Sequence, residues 1–402
     1  MHYESPNKLY YGTAQAVSWL IAKLIFKRKF LRNEIKGKQG PFVVIANHGA
    51  MLDFVNLIGA AKRPMSFVIS NSFYSSMPIQ GFLRKMGLIP KQQFQTAVKD
   101  LKRMKSVIEH GEPVVIYPAG LMCEDGLSTP IPAATYKFLK WLDVDVYVAR
   151  SRGTYFVMPK WGKGLRPGRT YMDVYQLFSR EELAQTDLET VRRKTDEALL
   201  FDTYREQETD RVKYLGGGDI RGLENVLYIC PHCGKEFTME VSGKQTIRCT
   251  ACGYAQTSDA YGFLRNESGL GREFRYVSDW SRWIYEQTLR QLQTEPERNL
   301  SMRAQIRMID PKKHKFVPVG SGTVTLSGKS FVIDGQLRNE PVKLEVSIGG
   351  IPTLPFSPGK YFEVQDGSTI YRCVPEDGRQ VIKCIHMVKA FYELNSLARA
   401  AR

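Results

Sequence analysis

The sequence predicts an α/β domain with a mainly parallel sheet and flanking helices. After it come a compact module built on two cysteine pairs and a small β-rich domain. Three observations carry this prediction. Between residues 41 and 178 short apolar runs alternate with helical patterns, the rhythm of repeated strand–helix–strand units. Cys230, Cys233, Cys249 and Cys252 form two tight pairs. From about residue 300 the helical rhythm gives way to short β-rich runs separated by turns. The expected boundaries are a basic amphipathic segment over 1–40, the α/β domain over 41–212, the cysteine module over 226–256, a helical connector over 257–300 and the β-rich domain over 301–402.

In order along the chain, Pro41–Ala46 reads as a buried strand and Asp53–Ala61 as a helix. Ser66–Ser70 is a strand, and Gln95–Glu109 carries a 3.6-residue apolar period, the mark of an amphipathic helix. Pro113–Pro118 is a strand, Ala133–Leu142 a helix and Val144–Ala149 a strand. Residues 180–212 read as one long charged helix, Leu215–Asp219 as a linker and Ser278–Leu292 as a helix. Beyond 300, strands are expected at Gly322–Leu326, Ser330–Asp334, Val342–Val346, Tyr361–Val364, Thr369–Cys373 and Gln380–Cys384, then a helix over Ile385–Arg399. Asp366-Gly367 and Asp377-Gly378 are turn dipeptides between them. This order of strands and final helix resembles pleckstrin-homology-like or GRAM-like modules at the level of topology.

The composition excludes several classes. Of 402 residues 43% are hydrophobic and 24% charged, which rules out a disordered or collagen-like chain. Seven cysteines are too few and too unevenly placed for a disulfide scaffold. Against 41 acidic residues stand 57 lysines and arginines, a net charge of +16. Such a balance suits an anionic membrane surface or nucleic acid. Residues 1–40 hold eight lysines and arginines against Glu4 and Glu34. Within them Ala14–Phe26 is apolar but only 13 residues long and broken by Lys23, too short for a span that needs roughly 20 apolar residues. The basic cluster follows the apolar run and no small-residue cleavage site appears, so a secretory signal is not expected. An interfacial helix, with Trp19, Leu20, Leu24 and Phe26 beside basic residues, fits the pattern.

The sharpest chemistry lies in Asn47-His48-Gly-Ala-Met-Leu-Asp53, directly after a buried strand. Spacing at a strand-to-helix turn lets the carboxylate hold one imidazole nitrogen while the other faces a cleft, the arrangement of a general base. Ligands in open α/β sheets also bind at the C-terminal ends of strands. Three further blocks follow: Met77 to Lys91, with Gly87-Leu-Ile-Pro-Lys91; Tyr117-Pro118-Ala119-Gly120; and Val146-Tyr-Val-Ala-Arg150. In this order and spacing, residues 41–165 resemble the 1-acylglycerol-3-phosphate acyltransferase family of the glycerolipid acyltransferase superfamily. The resemblance covers about a third of the chain.

The resemblance implies an acyltransferase-type sheet, His48 and Asp53 as the catalytic pair, and a substrate site that includes Asn47, Lys91, Pro118, Gly120, Arg150 and Arg152. It implies an acyl-CoA or acyl-carrier-protein donor and a lysophospholipid acceptor. His48 would deprotonate the acceptor hydroxyl, which attacks the thioester, with backbone donors near a helix start receiving the oxyanion. Two departures bear on the acceptor. Ala119 stands where the family has Glu, and Lys91 where it has Arg. Lysine is a point charge and lacks the two-pronged phosphate contact of arginine. Nearby, residues 150–169 hold Arg150, Arg152, Lys160, Lys163, Arg166 and Arg169 and no acid. Tyr155, Phe156 and Trp161 interleave with them, a composition suited to lipid headgroups or the phosphates of CoA.

Cys230-Pro-His-Cys233-Gly234 and Cys249-Thr-Ala-Cys252-Gly253 have the spacing of a zinc ribbon. Four thiolates fill the shell of Zn2+, so the metal is expected to be structural. Cys123 reads as a buried inert thiol, and Cys373 and Cys384 as core residues. The combined reading is a peripheral acyltransferase on the cytoplasmic, inner face of a membrane, with the phospholipid surface, an acyl donor and a lysophospholipid as partners and no nucleic acid. Two other readings stay open: a catalytically degenerate lipid-binding scaffold, and a nucleic-acid-binding zinc protein.

Overall fold

The computed structural model describes residues 5–93 and 98–400, side chains of 398–400 excepted. The chain divides into two compact units. The first runs to Gly217 without Ser75–Pro78 and Trp161–Lys163, which belong with the second, Gly218 onward.

The first unit opens with α1 (Lys8–Leu24), β1 (Lys29–Asn33), β2 (Phe42–Ala46), α2 (Asp53–Leu57), β3 (Ser66–Ser70), α3 (Asn71–Ser75), α4 (Gln80–Lys85) and β4 (Ile89–Lys91). It continues through α5 (Val98–Glu109), β5 (Val114–Ile116), α6 (Ala134–Leu142), β6 (Asp145–Arg152), α7 (Thr154–Val157), β7 (Tyr171–Phe178), α8 (Arg180–Gln185), α9 (Leu188–Leu199) and α10 (Thr203–Asp210). The seven strands form one sheet in the order β1-β7-β6-β2-β5-β3-β4. Every pair is parallel except β6 with β7. Parallel sheets are covered on both faces, so their central strands are continuously apolar. In β2 all five residues, Phe-Val-Val-Ile-Ala, are buried. Val43 and Ile45 share a core with Met104, Val107 and Ile108 of α5 and Tyr136, Leu139 and Leu142 of α6. Alternation turns Phe42, Val44 and Ala46 to the opposite face.

Helix α1 inverts the usual amphipathic order. Its buried face is Tyr11, Ser18 and Ala22. Leu9, Val17, Trp19, Leu20 and Leu24 face outward, and by helical spacing Leu9, Val17, Leu20 and Leu24 form one stripe. Tyr11 anchors the helix by donating its hydroxyl to the Ile58 carbonyl at 3.2 Å. Phe26, expected among the interfacial residues, is fully buried. Among the described residues no helix is long and apolar enough to cross a membrane.

The second unit holds a 3-10 turn at Leu223–Asn225, then β8 (Met239–Ser242), β9 (Thr246–Cys249), β10 (Ala255–Ser258), β11 (Leu264–Asn266) and α11 (Val277–Thr294). It ends with β12 (Leu300–Asp310), β13 (Lys315–Leu326), β14 (Ser330–Leu337), β15 (Glu340–Ser347), β16 (Phe356–Ser357), β17 (Tyr361–Asp366), β18 (Thr369–Pro375) and α12 (Gln380–Ala400). Strands β8 to β11 make an antiparallel sheet. Strands β12 to β18 make a second, in the order β15-β14-β13-β12-β18-β17-β16. The whole is thus a mixed α/β unit followed by a cysteine module and an antiparallel β-rich region closed by a helix.

Three expectations are corrected. Residues 180–212 are three helices, because Ser179, Asp187 and Asp202 each accept a hydrogen bond from the amides that follow and so restart the chain as N-caps. Gln380–Cys384 is the first turn of α12, not a strand. There the Gln380 and Val381 amides turn back to the Asp377 and Gly378 carbonyls, and Val381, Ile382 and Cys384 are buried. Residues 1–40 also include β1, an edge strand of the sheet. The Gln95–Ala97 part of the expected helix lies outside the described residues.

Candidate active site and metal centre

Strand β2 ends at Ala46, and the chain turns through residues 47–52 into α2. Asn47 is buried and locks this turn to β6. Its Nδ2 donates to the Ser151 carbonyl at 2.8 Å, and the Ser151 amide donates to its Oδ1 at 2.7 Å. His48 Nδ1 lies 3.0 Å from Asp53 Oδ2. The same oxygen accepts the Gly49 amide at 2.8 Å and the Ala50 amide at 2.9 Å. Asp53 is 1% exposed, and its Oδ1 has no hydrogen-bond partner among the described residues. A carboxylate only accepts, so Nδ1 carries the hydrogen and Nε2 keeps the lone pair in neutral imidazole. The His48 side chain is 21% exposed. Tyr117 flanks it, the ring centroids 4.6 Å apart and the planes tilted by 34°. Burial pushes the Tyr117 phenol well up, and the Asp53 charge adds to it. The backbone at Gly49 passes close to α7, so that a Cβ there would stand 3.0 Å from Thr154 Oγ1 and crowd it.

The structure gathers some expected residues at the C-terminal ends of the strands and sends others elsewhere. Pro118, Ala119 and Gly120 follow β5, and the Gly120 amide closes that turn on the Tyr117 carbonyl at 3.0 Å. Lys91 ends β4, its ammonium donating to the Gln92 carbonyl at 3.0 Å. Burial lowers its pKa, opposed in part by Asp100. Gln93 bridges strand ends, accepting from Ser70 Oγ at 3.0 Å and donating to the Gly120 carbonyl; no sequence pattern had marked it. Arg150 and Arg152 are committed to α10, with Glu206 at 2.7 Å and Asp210 at 3.1 Å. Residues four apart on a helix lie about 6 Å apart and alternate residues on a strand about 6.6 Å, so the two pairs match in register. Tyr155, Phe156 and Trp161 are buried core residues, not a headgroup surface. The Gly49 and Ala50 amides, candidates for oxyanion donors, are spent on Asp53. Cys123 is buried, donates its amide to the His48 carbonyl at 3.3 Å, and has a thiol pushed well up by burial.

In the second unit Cys230, Cys233, Cys249 and Cys252 bring their sulfurs within 4.8 Å of one another. Cys230 and Cys252 are 3.6 Å apart, Cys233 and Cys249 3.8 Å. Tetrahedral coordination at the ordinary Zn–S distance of about 2.3 Å puts sulfurs roughly 3.8 Å apart, so the four thiols fit zinc. Both loops share one backbone pattern. Cys230 donates to the Lys235 carbonyl and Cys249 to that of Tyr254, while Gly234 and Gly253 donate back to Cys230 and Cys249 at 3.0 Å. The two glycines have φ of 70° and 80°, where a side chain is strained. Burial pushes the Cys249 thiol up, but the Thr238 hydroxyl and the Ala251 and Cys252 amides outweigh it and hold it at about 6.

Residues 27–163 match the acyltransferase family model. The chain carries an acyltransferase domain. Its residues 223–255 match a zinc-ribbon model described as DNA directed RNA polymerase, 7 kDa subunit, so a zinc ribbon is added to the acyltransferase domain. No curated protein matches the chain. Among solved structures, the 1-acyl-sn-glycerophosphate (LPA) acyltransferase PlsC from Thermotoga maritima is similar at 19% identity and a TM-score of 0.38, over 47% of this chain and 78% of its own. The Ran binding domain of the nuclear complex component Nup2 from Ashbya gossypii is similar at 15% identity and a TM-score of 0.19, over 23% and 94%. Both scores are too low to establish a shared fold.

Proposed function

We propose that the protein transfers a fatty acyl chain from acyl-CoA or acyl-carrier protein to the hydroxyl of a lysophospholipid of the 1-acylglycerol-3-phosphate type. The observation that carries this reading is the His48–Asp53 pair at 3.0 Å inside an acyltransferase domain. His48 Nε2 takes the proton of the acceptor hydroxyl as its oxygen attacks the thioester carbonyl. The tetrahedral intermediate collapses, the carbon–sulfur bond breaks, and the proton goes to the leaving thiolate. No covalent enzyme intermediate is needed. His48 as general base contributes about 10²–10⁴ in rate, and Asp53 holds its imidazole in the working tautomer and balances its positive charge. Lys91 supplies a point charge for the acceptor phosphate. Pro118 and Gly120 shape the adjoining wall, and Asn47 acts through the turn it fixes. Arg150 and Arg152 brace the end of β6 through α10. The zinc ribbon holds Zn2+ through Cys230, Cys233, Cys249 and Cys252 as a closed structural site. The outward apolar stripe of α1, flanked by Lys23 and Lys27, supports peripheral attachment to an anionic membrane.

The test is release of free thiol from acyl-CoA with a panel of lysophospholipids in vesicles, beside His48→Ala. Acceptor-dependent release that the variant lacks is expected. Ala119 favours a second reading, a lipid-binding scaffold without turnover, which predicts vesicle binding and no release with either donor type.

A further inference from the structure

We propose that the free edge of β15 is a self-pairing surface, at which two copies of the chain join antiparallel with Leu344 on the two-fold axis. Among the described residues, β15 has a ladder with β14 alone. The backbone shows which of its residues face the open side. Arg338 and Asn339, with φ of 53° and 68°, make the two-residue turn between the strands. The Arg338 amide donates to the Val319 carbonyl of β13 at 2.7 Å, so the next turn of the backbone faces β15. At the far end the Ile348 amide donates to the Lys329 carbonyl, on the β14 side, at 3.0 Å. Successive residues of a strand aim their backbone polar groups to opposite sides. Val342, Leu344 and Val346 therefore bond β14, while Pro341, Lys343, Glu345 and Ser347 face the open edge. Pro341 agrees with this parity, because a residue without an N–H is tolerated where the ladder asks none of it.

A row of unpaired amides and carbonyls is a template for another strand, and the side chains choose which one. Lys343 and Glu345 are exposed, and Leu344 between them is half-buried. In the register with β14, Asp334 stands beside Lys343 and Val332 beside Glu345. The buried Ser330 hydroxyl donates to Glu345 Oε1 at 2.6 Å, which holds that carboxylate on the face it shares with Lys343. With the axis on Leu344, Lys343 of each copy stands opposite Glu345 of the other. Both positions then exchange amide and carbonyl bonds, both charges are paired, and the leucines meet at the axis. No neighbouring register does this. An axis on Lys343 or on Glu345 sets that charge against itself. An axis on Val342 sets Lys343 opposite Pro341, which has no N–H to return. An axis on Val346 sets Glu345 opposite Ser347 and carries Lys343 beyond the end of the strand. The pairing is isologous, each copy giving what it receives, and it joins two seven-stranded sheets into one.

The test is sedimentation equilibrium of the full, zinc-loaded chain at about 0.15 M salt. It compares the wild type with Lys343→Glu, with Glu345→Lys and with an equimolar mixture of the two variants. The wild type is expected to dimerise. Each single variant sets like charges opposite each other on both sides of the axis, so its dimer is expected to weaken about tenfold or more. In the mixture the acids of one chain meet the lysines of the other, and dimers holding one chain of each kind are expected to return. A wild type that stays monomeric up to about 100 µM overturns the proposal, as do single variants that each dimerise like it. So does a mixture that stays monomeric while both variants melt like the wild type. Where a charge variant melts lower, Lys343→Pro decides, because it removes an edge-facing N–H that β14 does not use. Loss of the dimer in that variant supports the pairing, and an undiminished dimer refutes it.

Discussion

His48 Nδ1 and Asp53 Oδ2 meet at 3.0 Å, and that one oxygen also holds the Gly49 and Ala50 amides. A single buried carboxylate therefore sets both the shape of the turn and the tautomer of the imidazole. Asp53→Asn keeps the volume and one oxygen acceptor but removes the charge that stabilises the imidazolium formed during proton transfer. The expected outcome is a fall in kcat of about 10²–10⁴ with acceptor KM within about threefold. Steady-state thiol release checks it, and a kcat within threefold of the wild type would rule out the role given to Asp53.

Lys91 should impose an alkaline limit on acceptor binding. Its ammonium is the form that binds phosphate, and burial lowers its pKa from the ordinary 10.5. Charge is then lost at a lower pH than in a free lysine, so KM for an anionic acceptor rises as pH climbs through that range. Arginine stays charged throughout. Lys91→Arg is thus expected to remove the alkaline rise in KM, while Lys91→Met raises KM at every pH. A KM profile that Lys91→Arg leaves unchanged would count against the contact.

Legibility in the sequence followed the range of the interactions. The β2 strand and the His48–Asp53 turn were readable because both are local: five apolar residues in a row, then two side chains five apart. The cysteine module was readable for the same reason, since its glycines answer to φ at single positions. Arg150 and Arg152 read as substrate-binding cations, because their partners Glu206 and Asp210 lie more than fifty residues on. Edge strand β1 hid in a basic segment, its burial pattern offering no clean alternation. The 380–384 strand was misread because Val381 and Ile382 favour strands intrinsically, and packing of α12 overrode that preference.

Removing the metal should loosen more than the ribbon. Between the cysteine pairs, Phe237 stacks on Tyr228 at 5.6 Å and gives its carbonyl to Arg379. Glu236 takes Lys383 of α12, and the Ile229 carbonyl takes the Trp280 indole of α11 at 3.2 Å. All of these contacts hang on backbone that the thiolates pin. Structural zinc commonly supplies about 10–16 kcal/mol to small ribbon-like folds. Chelation, or Cys233→Ser, is expected to lower the melting temperature of the second unit and speed amide exchange in α11 and α12. Metal content by atomic absorption reports the loss of zinc, and unchanged exchange in both helices after full removal would refute the coupling.

The outward face of α1 gives the sharpest test of membrane attachment, because it can be altered without touching the core. Leu20 and Leu24 are 50% and 56% exposed, so Leu20→Glu and Leu24→Glu should change folding stability by no more than about 0.5 kcal/mol. In a bilayer each leucine buried contributes about 1.5–3 kcal/mol, so each substitution is expected to weaken vesicle binding at least tenfold. Lys23 lies over Trp19, 4.9 Å from the ring, which places a cation beside an aromatic suited to the headgroup layer. Lys23→Ala should therefore weaken binding to phosphatidylglycerol vesicles, by about 1 kcal/mol, and leave phosphatidylcholine binding almost unchanged. Flotation with both lipids separates the two contributions. Equal recovery of the wild type and the double glutamate variant on phosphatidylglycerol would show that this face does not enter the membrane.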